Sequence, residues 1–137
     1  SDLHTAIDLY AGLLAEYPDN APVWMSYGHA LKTAGLTDRA IEAYRRALAM
    51  TPSFGEVWWS LANLKTFRFT EADMATMRAQ LARTDLSDVD RLHLDFALGK
   101  ALEDAADHEA SFRHYAAANA HHYSHTNYHQ GHQPTQN

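Results

Sequence analysis

The feature that most constrains this chain is an internal repeat with an offset of 34 residues. Identical residues recur at this offset, among them Ala6 with Ala40, Tyr10 with Tyr44, Leu14 with Leu48, Pro18 with Pro52, and Trp24 with Trp58. Small, aromatic and proline positions seldom match together by chance, so the chain is built from a repeated unit. A fixed period of this length indicates stacked units that bury their apolar faces against their neighbours.

Residues 21–54 contain the most complete copy of the unit. In chain order it reads Trp24, Tyr27, Gly28, Leu31, Ala40, Tyr44 and Pro52. This order resembles the tetratricopeptide repeat, in which each unit is a pair of antiparallel helices. The resemblance implies an all-α fold: a right-handed superhelix of antiparallel helix hairpins, with about three repeats after a leading single helix.

The residue types of this unit have packing reasons. Gly28 and Ala40 are small where the two helices would cross, so the backbones can approach closely. Gly35 supplies the left-handed residue that commonly ends a helix, and Thr37 is a good N-cap for the next one. Pro52 ends the second helix because proline cannot donate to the helical hydrogen-bond ladder.

The same spacing predicts helices along the rest of the chain and no strand. We predict them at 3–17, 21–34, 37–50, 55–66, 70–83, 88–105 and 107–121. The predicted organisation is the second helix of a truncated repeat at 1–20, full repeats at 21–54 and 88–121, a degenerate repeat at 55–87, and a polar, histidine-rich tail at 122–137.

Two segments, residues 58–69 and 94–104, show a closer resemblance. They are similar to the N-terminal repeat region of bacterial proteins in which tetratricopeptide repeats precede a sulfotransferase domain. That resemblance implies an accessory region, regulatory or substrate-presenting, of a sulfotransferase. In that family the loop that binds the sulfate donor belongs to the catalytic domain, and this chain contains no such loop. No catalytic residue is therefore carried over.

Composition excludes several other classes. Of 137 residues, 46% are hydrophobic, which suits a soluble domain with a buried core. Lys and Arg total 11 against 17 Asp and Glu, a net charge of −6, which disfavours a nucleic-acid partner.

The absence of cysteine excludes thiol chemistry and fits a reducing compartment. No apolar stretch approaches the roughly 20 residues that span a bilayer, so we expect a cytoplasmic protein that does not bind membranes.

The first helices of such repeats line a concave groove that binds peptides. Helical spacing assigns these residues to the groove: Met25, His29 and Lys32 in the first full repeat, Trp59 and Asn63 (with Glu56) in the second, and Phe96 and Lys100 (with His93 and Glu103) in the third. Trp58 and Trp59 point about 100° apart around a helix. We assign Trp58 to the core and Trp59 to the groove; the alternative is that Trp59 packs under the degenerate hairpin.

These assignments predict a non-catalytic module that binds a protein or peptide. A carboxylate clamp for acidic C-termini is disfavoured because only Asn63 and Lys100 stand at suitable positions. An apolar or mixed peptide fits better. The acidic residues fall in helix starts, turns and solvent faces, and no nucleophile elbow or His-Glu-x-x-His pattern is present, so we expect neither catalysis nor a required cofactor.

The two ends of the chain carry further hypotheses. The leading helix offers apolar residues with no preceding helix to cover them, which favours self-association. These residues are Ile7, Tyr10, Leu13, Leu14 and Tyr17.

Half of the 10 histidines fall near the C-terminus. If the last helix continued, His121, His125, His129 and His132 would lie at about 0°, 40°, 80° and 20° around its axis, a stripe that can chelate Zn or Ni. The alternative is a disordered polar extension, because Ser124, Thr126 and Asn127 are poor helix formers.

Overall fold

The computed structural model describes the backbone of residues 2–131 and the side chains of residues 2–120. All regular secondary structure in this range is α-helical. The helices are α1 (Asp2–Glu16), α2 (Ala21–Thr33), α3 (Thr37–Met50), α4 (Gly55–Ala62), α5 (Glu71–Leu81), α6 (Asp88–Asp104) and α7 (His108–Gly131). The predicted all-α fold of helix hairpins is confirmed. No helix in the described range is long and apolar enough to cross a membrane.

The chain divides after Val57, within α4, into two compact units. In the first unit α2 packs against both α1 and α3, and in the second α6 packs against both α5 and α7. The residues predicted to be uncovered on the leading helix differ in their solvent exposure. Ile7 and Leu14 are buried, which corrects the prediction for these two, whereas Leu13 and Tyr17 are exposed.

The α2–α3 hairpin is built around Tyr44, which is 0% exposed. A methyl group at Gly28 would lie 2.6 Å from a ring carbon of Tyr44, so only glycine lets the ring pack this closely on α2. Gly35 has a φ of 81°, as predicted for a helix-ending residue. Thr37 is the first residue of α3 rather than its cap, because Leu36 occupies the cap position and makes no side-chain cap hydrogen bond.

The α6–α7 hairpin repeats this arrangement with its own residues. A methyl group at Gly99 would lie 2.7 Å from the ring of Tyr115. The Ser111 hydroxyl, at the position equivalent to Ala40, donates a hydrogen bond of 2.7 Å to the carbonyl of Gly99. The two hairpins therefore share one packing rule, in which a tyrosine of the second helix covers a glycine of the first.

Two helices end four or more residues away from the predicted position. Helix α4 ends at Ala62 rather than 66. The ring of Phe69 packs 5.9 Å from the buried ring of Trp58, and Phe67 packs 4.9 Å from Phe69. The contact between these aromatic rings requires the chain to change direction after Ala62. It therefore favours a turn at this point over a continuation of helix α4. The assignment of Trp58 to the core is confirmed.

Helix α7 continues to Gly131 rather than ending at 121. Its alanine-rich stretch at 116–120 has high helix propensity, and the residues after it are only moderately unfavourable in a helix, at most about 0.7 kcal/mol each relative to alanine for those other than glycine. The predicted end of this helix at 121 was therefore wrong, whereas the division of the chain into domains stays a prediction.

Candidate functional site

The second unit contains a cavity of about 330 Å³, which we call the Trp59 pocket. It is lined by Trp59 of α4, by Leu92, His93 and Phe96 of α6, and by Ala118 and Asn119 of α7. None of these side chains is a carboxylate, an ammonium or a guanidinium group. The pocket therefore offers aromatic and aliphatic walls, with an imidazole and one amide for hydrogen bonding.

Neighbouring rings hold the pocket's aromatic walls in place. The Trp59 ring lies 5.6 Å from the His93 ring, and the Phe96 ring lies 5.6 Å from the ring of Tyr115 on α7. Trp59 is nevertheless 39% exposed. Trp59 and Phe96, both predicted to be groove residues, thus line one cavity within a single unit.

Three lining residues were not predicted from the sequence: Leu92, Ala118 and Asn119. The last two belong to the second helix of their hairpin, which the groove pattern leaves out. A pairing of Gly99 with Tyr115 in antiparallel helices would have placed residues 118 and 119 beside residues 96 and 95, in the middle of α6. The repeat itself therefore contained the necessary information.

The predicted polar residues of this unit lie elsewhere. Asn63 follows the last residue of α4 and is exposed in the turn. The Lys100 ammonium donates to both carboxylate oxygens of Asp104, at 2.8 and 2.9 Å, and the Arg68 guanidinium lies 3.7 Å from the same carboxylate. Asp104 thereby offsets the charge of Lys100. Neither Asn63 nor Lys100 lines the Trp59 pocket.

The predicted groove residues of the first unit lie on α2. The His29 ring nitrogen Nδ1 is 2.7 Å from the Tyr44 hydroxyl, and Nε2 is 3.7 Å from the Glu56 carboxylate. Met25 is half-buried and Lys32 is exposed. The contact with Tyr44 gives His29 a structural role, because it ties α2 to the buried tyrosine of α3.

A second histidine joins the helices of the α6–α7 hairpin. His114 Nδ1 lies 2.9 Å from a carboxylate oxygen of Asp95, which is buried. Within the described side chains no group of three residues is placed to hold a metal ion. The predicted metal ligands His121, His125, His129 and His132 lie outside the described side chains, so the metal hypothesis stays a prediction.

Tyr115 supplies a test of this hairpin at alkaline pH. Burial, followed by a 3.0 Å hydrogen bond to Glu103, raises the pKa of the Tyr115 hydroxyl. The folded state therefore favours the neutral hydroxyl. Because unfolded tyrosine ionises near pH 10, the contribution of this neutral hydroxyl to folding stability is fully present below about pH 10 and is lost as pH rises above it. We expect urea unfolding at increasing pH to show a steeper loss of stability for the wild type than for Tyr115→Phe. Equal slopes for the two proteins would contradict this prediction.

Comparison with known proteins agrees with the repeat. The family model described as tetratricopeptide repeat matches residues 21–64. A peroxisomal targeting signal receptor of Eremothecium gossypii is 33% identical over 61 residues, which are 44% of this chain and 11% of the receptor. The chain thus spans about a tenth of the receptor's length. Tetratricopeptide repeats are generally protein-interaction modules. The closer resemblance to sulfotransferase-associated repeats stays a prediction.

Proposed function

We propose that this chain is a non-catalytic module that binds a protein or peptide, and that the Trp59 pocket receives an apolar side chain of that partner. The observation that carries the proposal is the 39% exposure of Trp59 in the lining of a cavity that Phe96 also lines. A partly exposed aromatic residue in a concave site is a typical binding hot spot, because a partner can bury it at little conformational cost.

The side chains that line the pocket restrict which chemical group of a partner can enter it. A pocket without charged side chains does not compensate a buried charge, so the inserted group is apolar. A cavity of about 330 Å³ accommodates one bulky aliphatic or aromatic side chain. The Asn119 amide and the His93 imidazole supply hydrogen-bonding groups for the main chain beside it. The related protein is named as a receptor for a targeting signal, which supports recognition of a segment of another protein.

Selection from a random-peptide display library tests the proposal. We expect the selected peptides to share a Leu, Met or Phe anchor. Trp59→Ala should weaken their binding about tenfold or more, as truncation of a hot-spot aromatic does. Phe112→Ala is the matched control, because Phe112 is 73% exposed on α7 and does not line the pocket. Selected peptides that bind Trp59→Ala and Phe96→Ala as tightly as the wild type would refute the proposal.

A further inference from the structure

One residue of the Trp59 pocket differs from the others in both size and burial. Ala118 of α7 has the smallest side chain in the lining and is 3% exposed, whereas Trp59 is 39% exposed. Asn119, the next residue of α7, also lines the pocket and is exposed. The methyl group of Ala118 therefore lies where the cavity is most enclosed.

The register of the α6–α7 hairpin explains why there is space beside Ala118. Gly99 packs against the ring of Tyr115, so the antiparallel pairing places residue 118 opposite Phe96. The Phe96 ring, however, packs 5.6 Å from the ring of Tyr115, which precedes Ala118 by about one helical turn. A ring in this position leaves the space in front of the Ala118 methyl group to the cavity.

Contacts with neighbouring side chains restrict the aromatic walls of the pocket. The Trp59 ring lies 5.6 Å from the ring of His93. The hydroxyl of Tyr115, whose ring supports the second aromatic wall, donates a hydrogen bond of 3.0 Å to Glu103. Closely packed rings do not move aside without a loss of contacts. The room for a ligand therefore depends on the side chain at position 118.

We infer that Ala118 is the specificity-determining residue of the Trp59 pocket. It selects partners whose inserted residue, the anchor, reaches the enclosed end, so Leu, Met or Phe is preferred to Ala or Val. The inference rests on the proposed function, because it requires that a partner's side chain enters the pocket. An anchor that ends short of Ala118 leaves a void and loses dispersion contacts. One methylene group in an apolar pocket changes affinity about 10- to 200-fold.

Ala118→Leu is the central test, made on the full chain. The longer side chain enters the cavity, and leucine has nearly the helix propensity of alanine, so we expect circular dichroism to show unchanged helix content. A Leu-anchored peptide, selected on the wild type from the display library, should bind this variant about tenfold or more weakly in fluorescence anisotropy. Ala117→Leu is the matched control, because Ala117 is exposed and does not line the pocket. It should bind as the wild type does.

A change in the peptide, combined with the change at Ala118, tests whether the two sizes are complementary. In the wild type, replacing the Leu anchor by Ala should weaken binding about tenfold or more. In Ala118→Leu the cavity is already filled, so the same change in the peptide should have a much smaller effect. The two substitutions are therefore expected to be strongly non-additive. Selection repeated on Ala118→Leu should yield peptides with Ala or Val anchors.

Toluene tests the enclosed space without any peptide, because it is the side chain of phenylalanine as a free molecule. Its binding is followed by the nuclear magnetic resonance signal of the Trp59 indole N–H, which is identified by its absence from Trp59→Phe. We expect a saturable shift of this signal in the wild type and in Ala117→Leu. Ala118→Leu should show no saturable shift.

Ala118→Val keeps the test decisive if the leucine variant loses helix content. Its side chain fills less of the cavity, so we expect it to weaken the Leu-anchored peptide by less than Ala118→Leu but measurably. Undiminished binding by both variants, with unchanged helix content, would overturn the inference. Additive losses in the peptide and protein cycle would also overturn it.

Failure of this inference is distinguishable from failure of the proposed function. Binding that Trp59→Ala weakens but Ala118→Leu does not would leave the proposed function standing and remove only the role of Ala118. Peptides that bind Trp59→Ala and Phe96→Ala as tightly as the wild type would refute the proposed function. In that case the toluene titration would still decide whether Ala118 limits the space in the pocket.

Discussion

Replacing Tyr44 by alanine is expected to lower the free energy of unfolding by about 3–5 kcal/mol, the usual cost of truncating a large buried aromatic residue. Tyr44 is 0% exposed and its ring fills the space above Gly28. Its hydroxyl also lies 2.7 Å from His29 Nδ1. The substitution therefore leaves a cavity between α2 and α3 and removes the partner of a half-buried imidazole nitrogen.

Tyr44→Phe is the matched control for this prediction. It keeps the ring and removes only the hydroxyl, so we expect a loss of about 1 kcal/mol, typical of one hydrogen bond. Urea titrations followed by circular dichroism give both values. A loss for Tyr44→Ala no larger than that for Tyr44→Phe would show that the ring does not support the hairpin.

Gly28→Ala and Gly99→Ala are each expected to lower the free energy of unfolding by about 1–3 kcal/mol, the typical cost of overpacking. A methyl group would lie 2.6 Å from the Tyr44 ring in the first case and 2.7 Å from the Tyr115 ring in the second. Exposed Gly12 is the control. Its methyl group meets no atom within 4 Å, so Gly12→Ala should stabilise helix α1 by about 0.5–1 kcal/mol.

A double-mutant cycle identifies the tyrosine ring as the cause. Once Tyr44 is alanine, the clash at Gly28 is gone, so Gly28→Ala should cost less in that background than in the wild type. Strictly additive losses would mean that the methyl group at position 28 is opposed by something other than the ring. The same urea titrations provide the four values of the cycle.

The sequence predicted the two regular hairpins because their decisive contacts recur at equivalent positions. Gly28 with Tyr44 and Gly99 with Tyr115 are visible from residue type and spacing alone. The end of α4 was not predictable in this way, because it depends on Phe67 and Phe69 packing beside Trp58. Local helix propensity contains no information about that contact. Thr37 was similarly misassigned because a preferred cap residue does not fix where the helix begins.

The Trp59 pocket was predicted only in part. The exposure of Trp59 and its presence with Phe96 in one cavity agree with the helical spacing of the first helices. Ala118 and Asn119 were missed because the assignment considered only those first helices. The pairing of Lys100 with Asp104 could have been anticipated, since residues four apart face each other on a helix.

The shared contact between glycine and tyrosine also bears on how such a chain can change through descent. Neither the glycine nor the aromatic ring can be exchanged alone without a clash or a cavity, so the two positions should change together. The degenerate repeat at 55–87 agrees with this expectation. At the offset of 34 residues from Gly28 and Tyr44 stand Ala62 and Arg78, so both members of the pair have been replaced. In a set of related sequences, we expect the glycine position and the tyrosine position to covary.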